Sequence, residues 1–465
     1  MGTQNHIINK SKIMLFIIDI SVVYLAFMVC AAIMKTYFPE YVLAFDQYFY
    51  IRLILVTVSI EICCIAVGLY NEKLRCGVRE IASRILVSVI LSYCTVASIY
   101  AITPLDKNPL LVLESIYFII ILGLFATRTA LLLGDKKYIK KSKVLVLGAG
   151  KRASLINSSM KRKTDRLNFD LVGYVPLNGD CPDVDNTQPR LDITTGQLGS
   201  YCQQNDIHEV VIAADERRGT LPSKELLDCK AEGIFVNDII DFVERETGQI
   251  AIEHINPSWA IFNQSPVKLS FSFVLNSIFN TLLSVLIFLA TWPFILVTIL
   301  GIKIEDGFFA PVIYKQQRIG LNGRRFDIYK FRSMKIDAEK DGAKMTTKTD
   351  DRVTKVGRII RKYRLDELPQ LYNVVRGDMC FVGPRPERPE FTTNFSQDIP
   401  YYNQRNYVKP GLTGWAQLKY PYGENSKDAA EKLKFDLYYI KHRSFLLDLL
   451  ILVRTSEIVL FGKGR

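Results

Sequence analysis

Histidine is almost missing from this chain: four residues in 465, His6, His208, His254 and His442, scattered along its length. Catalysis or metal binding through imidazole is therefore not expected. Cysteine offers no substitute. The nine cysteines (Cys30, Cys63, Cys64, Cys76, Cys94, Cys181, Cys202, Cys229 and Cys380) are odd in number and never fall in C-x-x-C spacing. That points away from a disulfide framework and a zinc site, and fits a reducing compartment. Aromatic residues interleaved with basic clusters are also scarce, so the net charge of +12 is not read as a nucleic-acid face. It suits an anionic membrane surface and phosphorylated ligands.

What is abundant is apolar sequence, 49% of the chain with a mean hydropathy of +0.13, gathered in the first third and again at 270–301. Stretches at 12–35, 48–70, 81–103 and 109–134 are each long enough to cross a hydrocarbon core of about 30 Å. The first is too long for a cleavable signal peptide and has no small-residue cleavage site. Lys10 and Lys12, then Lys73, Arg75 and Arg79, then Lys136, Lys137, Lys140, Lys141 and Lys143 flank these runs, whereas loops 36–46 and 104–108 offer only Lys107, with Lys35 at an edge. The bias predicts a four-helix transmembrane bundle over 1–143 with both ends in the cytoplasm. Asp19, Glu61, Arg84 and Arg128 fall within the spans, where pairing between helices accounts for them more simply than transport or binding of a lipid phosphate.

From 144 to 262 strands alternate with helical segments. Strands are expected at 143–147, 169–175, 208–213 and 233–237, which predicts a small Rossmann-like cytoplasmic domain. Gly148, Gly150 and Ala153 give a G-x-G-x-x-A turn after the first strand, but no acid closes the second strand, because Asp170 stands at its start instead of following it and Asp180 and Asp183 lie in a loop. No Tyr-x-x-x-Lys pair occurs there either. A structural, oligomerising or regulatory domain is expected rather than a dinucleotide-binding one, which leaves a homodimer open.

The run at 270–301 has Lys268 before it and Lys303, Lys315 and Arg318 after it, so both flanks carry the cytoplasmic signature. A helix that enters and leaves on one face satisfies both, with an ordinary fifth span as the alternative. Pro293 supplies a bend by removing a backbone donor, and Asn276, Ser277 and Asn280 add polarity to the first half.

Between 330 and 389 the composition becomes that of a phosphate site. Lys330, Arg332, Arg352, Arg358, Arg361, Lys362, Arg364, Arg376, Arg385 and Arg388 surround the adjacent acids Asp366 and Glu367. Guanidinium forks match phosphate oxygens in pairs, and a carboxylate kept ionised among them can act as a nucleophile or hold Mg2+. The plainer reading, a helix start with two solvated acids, competes with this for any single Asp-Glu pair.

The ordered set of motifs decides between the two. Tyr314-Lys-Gln316-Gln-Arg318-Ile-Gly320, KFRSM at 330–334, RVTKVG at 352–357, LDELPQL at 365–371, GPRPERP at 383–389 and PGLTGWAQ at 410–417 occur in succession. Over about 270–465 the chain resembles the catalytic domain of the bacterial monotopic phosphoglycosyl transferases, the polyprenyl-phosphate sugar-1-phosphate transferases. Its remainder resembles the long, exopolysaccharide-type members.

The resemblance implies a catalytic domain over 263–465 carrying a re-entrant helix at 270–301 broken at Pro293, on the cytoplasmic face of the bacterial inner membrane. It implies that Asp366 attacks the β-phosphate of a UDP-sugar, UMP leaves, and undecaprenyl phosphate then takes the sugar phosphate. Glu367 would hold Mg2+ with Asp366 or position the incoming phosphate. Lys330, Arg361 and Arg385 match phosphate- or acid-contacting positions, Pro384 and Pro386 fix the loop around Arg385, and Gln316, Arg318 and Arg332 join the substrate-binding candidates. Tyr363-Arg364 stands where the family commonly has Thr-Ser, which leaves the sugar open. The C-terminal run 445–461 is interrupted by Asp448, Arg454, Thr455, Ser456 and Glu457 and reads equally as an interfacial or a buried helix. A glycosyltransferase releasing UDP and a non-enzymatic export scaffold are the competing readings.

Overall fold

The computed structural model describes residues 10–37, 49–70, 78–102, 110–133, 141–166, 168–181, 189–193, 196–216, 221–254, 271–338, 350–420 and 425–460. Lys73, Arg75, Lys107, Lys136, Lys137, Lys140 and Lys268, most of loop 36–46 and the 262/263 boundary lie outside the described residues. The chain divides into two compact units, 1–142 with 167–170, and 143–166 with 171–465.

The first unit contains helices α1 (Lys10–Tyr37), α2 (Phe49–Val67), α3 (Val78–Ile102) and α4 (Leu110–Leu133). α1 packs on α2 and α4, and α3 packs on the same two. Val23, Phe27, Ile60, Ile85, Ile120 and Leu124 fill the space between them, while Ile17, Leu25, Ile54, Ile62 and Phe118 face outward. Apolar side chains on both faces are what a lipid surround requires. Within this unit, Met14–Ile33 and Val112–Ala130 are long and apolar enough to cross a membrane, and Arg84–Tyr100 is a shorter apolar helix.

The polar residues inside this unit find partners. Arg128 pairs with Asp19 at 2.5 Å, Arg84 donates to the Val67 and Gly68 carbonyls, and the Tyr70 hydroxyl lies 2.5 Å from Asp19 and 2.6 Å from Glu61.

The second unit opens with a four-stranded sheet, β1 (Ser142–Leu147), β2 (Phe169–Val175), β3 (Glu209–Ile212) and β4 (Phe235–Asp238), in the order β2-β1-β3-β4. β1 pairs in parallel with β3, Val144 opposite Glu209, and β3 with β4. Parallel pairing needs crossovers, supplied here by α5 (Leu155–Ser159), α6 (Leu198–Gln204) and α7 (Ser223–Ala231). α8 (Ile239–Thr247) follows β4. Asp238 caps it by accepting from the Ile240 amide, and Gly248 ends it at φ +68°.

α9 (Phe271–Asp306) is continuous through Pro293 and not broken there as expected, since the other turns of the helix keep their hydrogen bonds across the one donor that proline lacks, and its stretch Asn276–Asp306 is the third helix long and apolar enough to cross a membrane. One stripe of α9 packs inward. Leu283 and Ile287 meet Ile328, Leu371 and Phe381, and Ile295, Ile299 and Ile302 meet Phe331 and Ile360. The polarity of its first half serves this packing, since buried Asn280 accepts from the Phe381 amide at 2.7 Å. Leu286, Leu289, Phe294, Val297 and Leu300 face outward.

Beyond α9 come the hairpin β5 (Ile313–Ile319) and β6 (Arg325–Phe331), α10 (Lys355–Lys362), α11 (Gln370–Arg376), β7 (Cys380–Val382), α12 (Pro389–Asp398), β8 (Gly411–Thr413), α13 (Trp415–Lys419), α14 (Ser426–His442) and α15 (Phe445–Leu460). α10 is capped twice. The Thr354 hydroxyl accepts from Gly357, and Glu305 at the end of α9 accepts from Lys355 and Val356.

Candidate active site

α10 stops at Lys362, and Arg364 turns the chain through a left-handed conformation, φ +58°. That turn starts a short 3-10 segment, Leu365–Glu367, which carries both acids, rather than the α-helix that LDELPQL suggests. Three residues per turn set successive side chains about 120° apart, so the acids face different surroundings.

Both are buried, each 8% exposed, but only one is neutralised. Glu367 accepts from Arg385 at 2.8 Å, Lys330 at 3.3 Å and Arg364 at 3.5 Å. Burial pushes its carboxyl up, but Arg385, Lys330 and Arg364 outweigh it and hold Glu367 well below the usual carboxylate range. Asp366 keeps one buried oxygen, Oδ1, without a partner among the described residues. Burial and then the neighbouring Glu367 charge raise it, against the pull of Lys330, Arg361 and Arg364.

They open onto a cavity of about 480 Å3. Lys330, Arg332, Arg361, Arg385, Gln316 and Arg318 all line it, with Arg364 and Arg388. Arg332 is held by Asp306 at 2.8 Å; Arg318 donates to the Pro386 carbonyl and to Gln316. Pro384 and Pro386 stand behind the wall, their carbonyls taken by Gly411 and Arg318. Four members of the basic cluster do not join. Arg352 is turned to Asp350, Arg376 to Asp378, and Arg358 and Lys362 lie exposed on α10. Pro293 is likewise not among the lining residues.

Two sequence motifs meet through their backbones. β7 pairs with β8, the Gly383 amide donates to Thr413 and Gly411 to Pro384, and a Cβ at Gly383 would lie 2.5 Å from the Lys409 carbonyl oxygen. Glycine is required because no side chain fits between the strands.

Arg405 and Asp436 were not singled out in the sequence. Buried Arg405 donates to Asp436 at 2.8 Å, to the Tyr402 hydroxyl at 2.8 Å and to the Arg385 carbonyl at 3.0 Å, which fixes the loop that aims Arg385. Burial pushes Asp436 up to about 6, with Arg405 pulling the other way. Their separation along the chain leaves no local pattern to find them by.

The glycine turn of the middle sheet is filled from within. Asp215 accepts from the amides of Lys151 at 2.9 Å, Arg152 at 2.8 Å and Cys181 at 3.2 Å, and Asp180 accepts from Ala149, Leu177 and Asp215. The amides of Ala149, Lys151 and Arg152 around the glycine turn are thus occupied by the protein's own carboxylates.

Residues 271–462 match the family described as bacterial sugar transferase. The chain is 39% identical over 240 residues, 51% of its length and 55% of the relative's, to the UDP-N-acetylgalactosamine-undecaprenyl-phosphate N-acetylgalactosaminephosphotransferase of Aeromonas hydrophila. It is 31% identical over 332 residues, 69% of its length and 60% of the relative's, to the undecaprenyl-phosphate glucose phosphotransferase of Komagataeibacter xylinus. It is 38% identical over 195 residues to the uncharacterized sugar transferase EpsL of Bacillus subtilis, covering 41% of this chain and 90% of that one. The chain spans only about half the length of the first two relatives. With the motifs from Tyr314 to Gln417 inside the matched region and nearly all of the Bacillus protein covered, the chain belongs to the bacterial sugar transferase family.

Proposed function

We propose that the protein transfers a sugar-1-phosphate from a UDP-sugar to a polyprenyl phosphate such as undecaprenyl phosphate, releasing UMP, as the first step of an exopolysaccharide or related glycan. The observation that carries this reading is the asymmetry of the acid pair. Glu367 is paired with three cations, while Asp366 presents an unpartnered oxygen among Lys330, Arg361, Arg364 and Arg385.

In this reading an Asp366 oxygen forms a bond to the donor's β-phosphorus, and the bond from that phosphorus to the bridging oxygen breaks. UMP departs with the electron pair, leaving an aspartyl phosphosugar. A phosphate oxygen of the polyprenyl phosphate then attacks the same phosphorus and Asp366 leaves as carboxylate. Lys330, Arg361 and Arg385 hold the phosphates and spread the charge that develops. Glu367 orients Lys330 and Arg385.

The residues fit a Mg2+ ion shared with the substrate, because a hard ion of this kind takes one or two carboxylate oxygens and completes its shell from phosphates and water. Asp366 Oδ1 is free to be one, and Glu367 is the second candidate. No cluster of three or more His, Cys, Asp or Glu is found among the described residues. When bound, the ion would neutralise diphosphate charge.

The proposed organisation is a four-helix transmembrane bundle over 1–143, a Rossmann-like cytoplasmic domain over 144–262 and the catalytic domain over 263–465. For the re-entrant reading of α9, the support is that segments on both sides of Pro293 pack on clusters of the 263–465 region, Leu283 and Ile287 on one and Ile295, Ile299 and Ile302 on another. Such a helix keeps the cavity on the cytoplasmic face of the inner membrane, where nucleotide sugars are.

Purified protein with Mg2+ and a panel of UDP-sugars, with and without undecaprenyl phosphate, tests the function. Lipid-dependent UMP, absent in Asp366→Asn, supports it and identifies the sugar. UDP in place of UMP would mean glycosyl transfer, and neither nucleotide from any donor would favour the scaffold.

A further inference from the structure

We propose that the middle sheet module braces one wall of the donor cavity, and that Trp415 is the positioning residue through which it does so. The inference rests on the reading of the cavity as the donor site, and assigns the module a part in that site.

The wall is formed by α13 and α14, which with the residues between them supply Ala416, Gln417, Tyr420, Asn425, Ala429 and Lys432 to the cavity. α13 has five residues, too few to hold a helix by its own hydrogen bonds, so its place is set by what it is tied to. It is tied to the end of α8. The Trp415 indole nitrogen donates to the Gly248 carbonyl at 2.8 Å, and its ring stacks on Tyr438 of α14 with centroids 6.0 Å apart. Gly248 suits both demands of the contact: its φ is +68°, and a Cβ there would lie 3.0 Å from the indole.

The same segment holds α14 at two further points. The Ile250 amide donates to the Lys434 carbonyl at 3.1 Å, and buried Glu244 takes Lys441 at 2.8 Å and His442 at 2.6 Å. Ile250 and Ile252 also pack with Phe395 and Tyr402, which line the cavity on other elements. Residues 244–252 therefore reach two sides of the cavity without entering it. Two positions beyond Trp415, the Gln417 amide nitrogen is buried and has no partner among the described residues, as expected of a group kept for a ligand. A shift of α13 moves Gln417 first.

The test uses the full-length protein in nanodiscs. Trp415→Phe keeps an aromatic ring and removes the donor; Glu244→Gln removes the ion pairs at a distance from the cavity. In both, the KM for the UDP-sugar rises roughly three- to tenfold, the scale of one lost hydrogen bond. The kcat stays within about twofold, since the contact orders the ground state and transition state alike. The KM for polyprenyl phosphate is unchanged, and amide hydrogen exchange over 416–420 accelerates. A lower melting temperature with KM and exchange at 416–420 as in the native protein would overturn the brace. If the native protein releases no UMP from any donor, the functional reading fails by itself. Exchange at 416–420 in Glu244→Gln then still decides whether the module holds the wall, faster exchange supporting it and unchanged exchange refuting it.

Discussion

Asp366 and Glu367 are neighbours in sequence and opposites in surroundings. The sequence made the pair legible because ten cations crowd it, but it could not divide their labour. That division depends on the left-handed Arg364, an arrangement that costs a non-glycine residue about 1 kcal/mol or more and leaves no sequence signature. Its consequence is a pH dependence. As the proposed nucleophile Asp366 would attack as the carboxylate, and burial with the Glu367 charge raises its pKa. The kcat/KM for the donor should therefore fall as pH drops through a value above the ordinary carboxylate range, and level off at higher pH. Glu367→Gln removes the neighbouring negative charge and should move that limb to lower pH, while slowing turnover about a hundredfold as Lys330 and Arg385 lose their anchor. A limb near pH 4 in the native protein, or one that does not move, would contradict this assignment.

At the scale of elements, the strands of the middle sheet were readable from their apolar alternation with helical segments, and the glycine turn from its spacing. What fills the turn was not, since Asp215 is remote from it in sequence. The native protein should show no NAD(P)H fluorescence enhancement or quenching on titration. Asp215→Ala should lower the melting temperature by leaving three amides without an acceptor, a loss of about 1–3 kcal/mol. Saturable dinucleotide binding to the native protein would refute the account.

In the helical unit, Asp19, Glu61, Arg84 and Arg128 were visible as charges in apolar runs, but Tyr70 was not read as their partner. One hydroxyl proton cannot serve both carboxylates that it contacts. Asp19 also has Arg128, whereas Glu61 Oε1 has no partner among the described residues. Glu61→Gln should then cost less than about 1 kcal/mol, whereas Asp19→Asn, which strands Arg128, should cost about 3–5 kcal/mol. Thermal melts in detergent with equal losses for the two would reject this division of partners.

On the scale of the whole molecule, apolar runs and flanking charges were the most legible features, because membrane insertion is written in composition over some 20 residues at a time. α9 shows the limit of that signal. Its length and hydropathy suit an ordinary span, and only its packing on the catalytic core on either side of Pro293 argues for entry and exit on one face. Single cysteines at 270 and 303, on a background cleared of native cysteines, should react with an impermeant maleimide from the same side of sealed vesicles. Opposite-side labelling would rule out re-entry.

The central claim is that Asp366 is the nucleophile, and a single-turnover experiment meets it most directly. Stoichiometric enzyme mixed with its UDP-sugar and Mg2+, without lipid, should release UMP in a burst close to one per active site. The burst should be absent in Asp366→Asn and present, though slower, in Glu367→Gln. No burst in the native protein, or a burst that survives Asp366→Asn, would contradict the account.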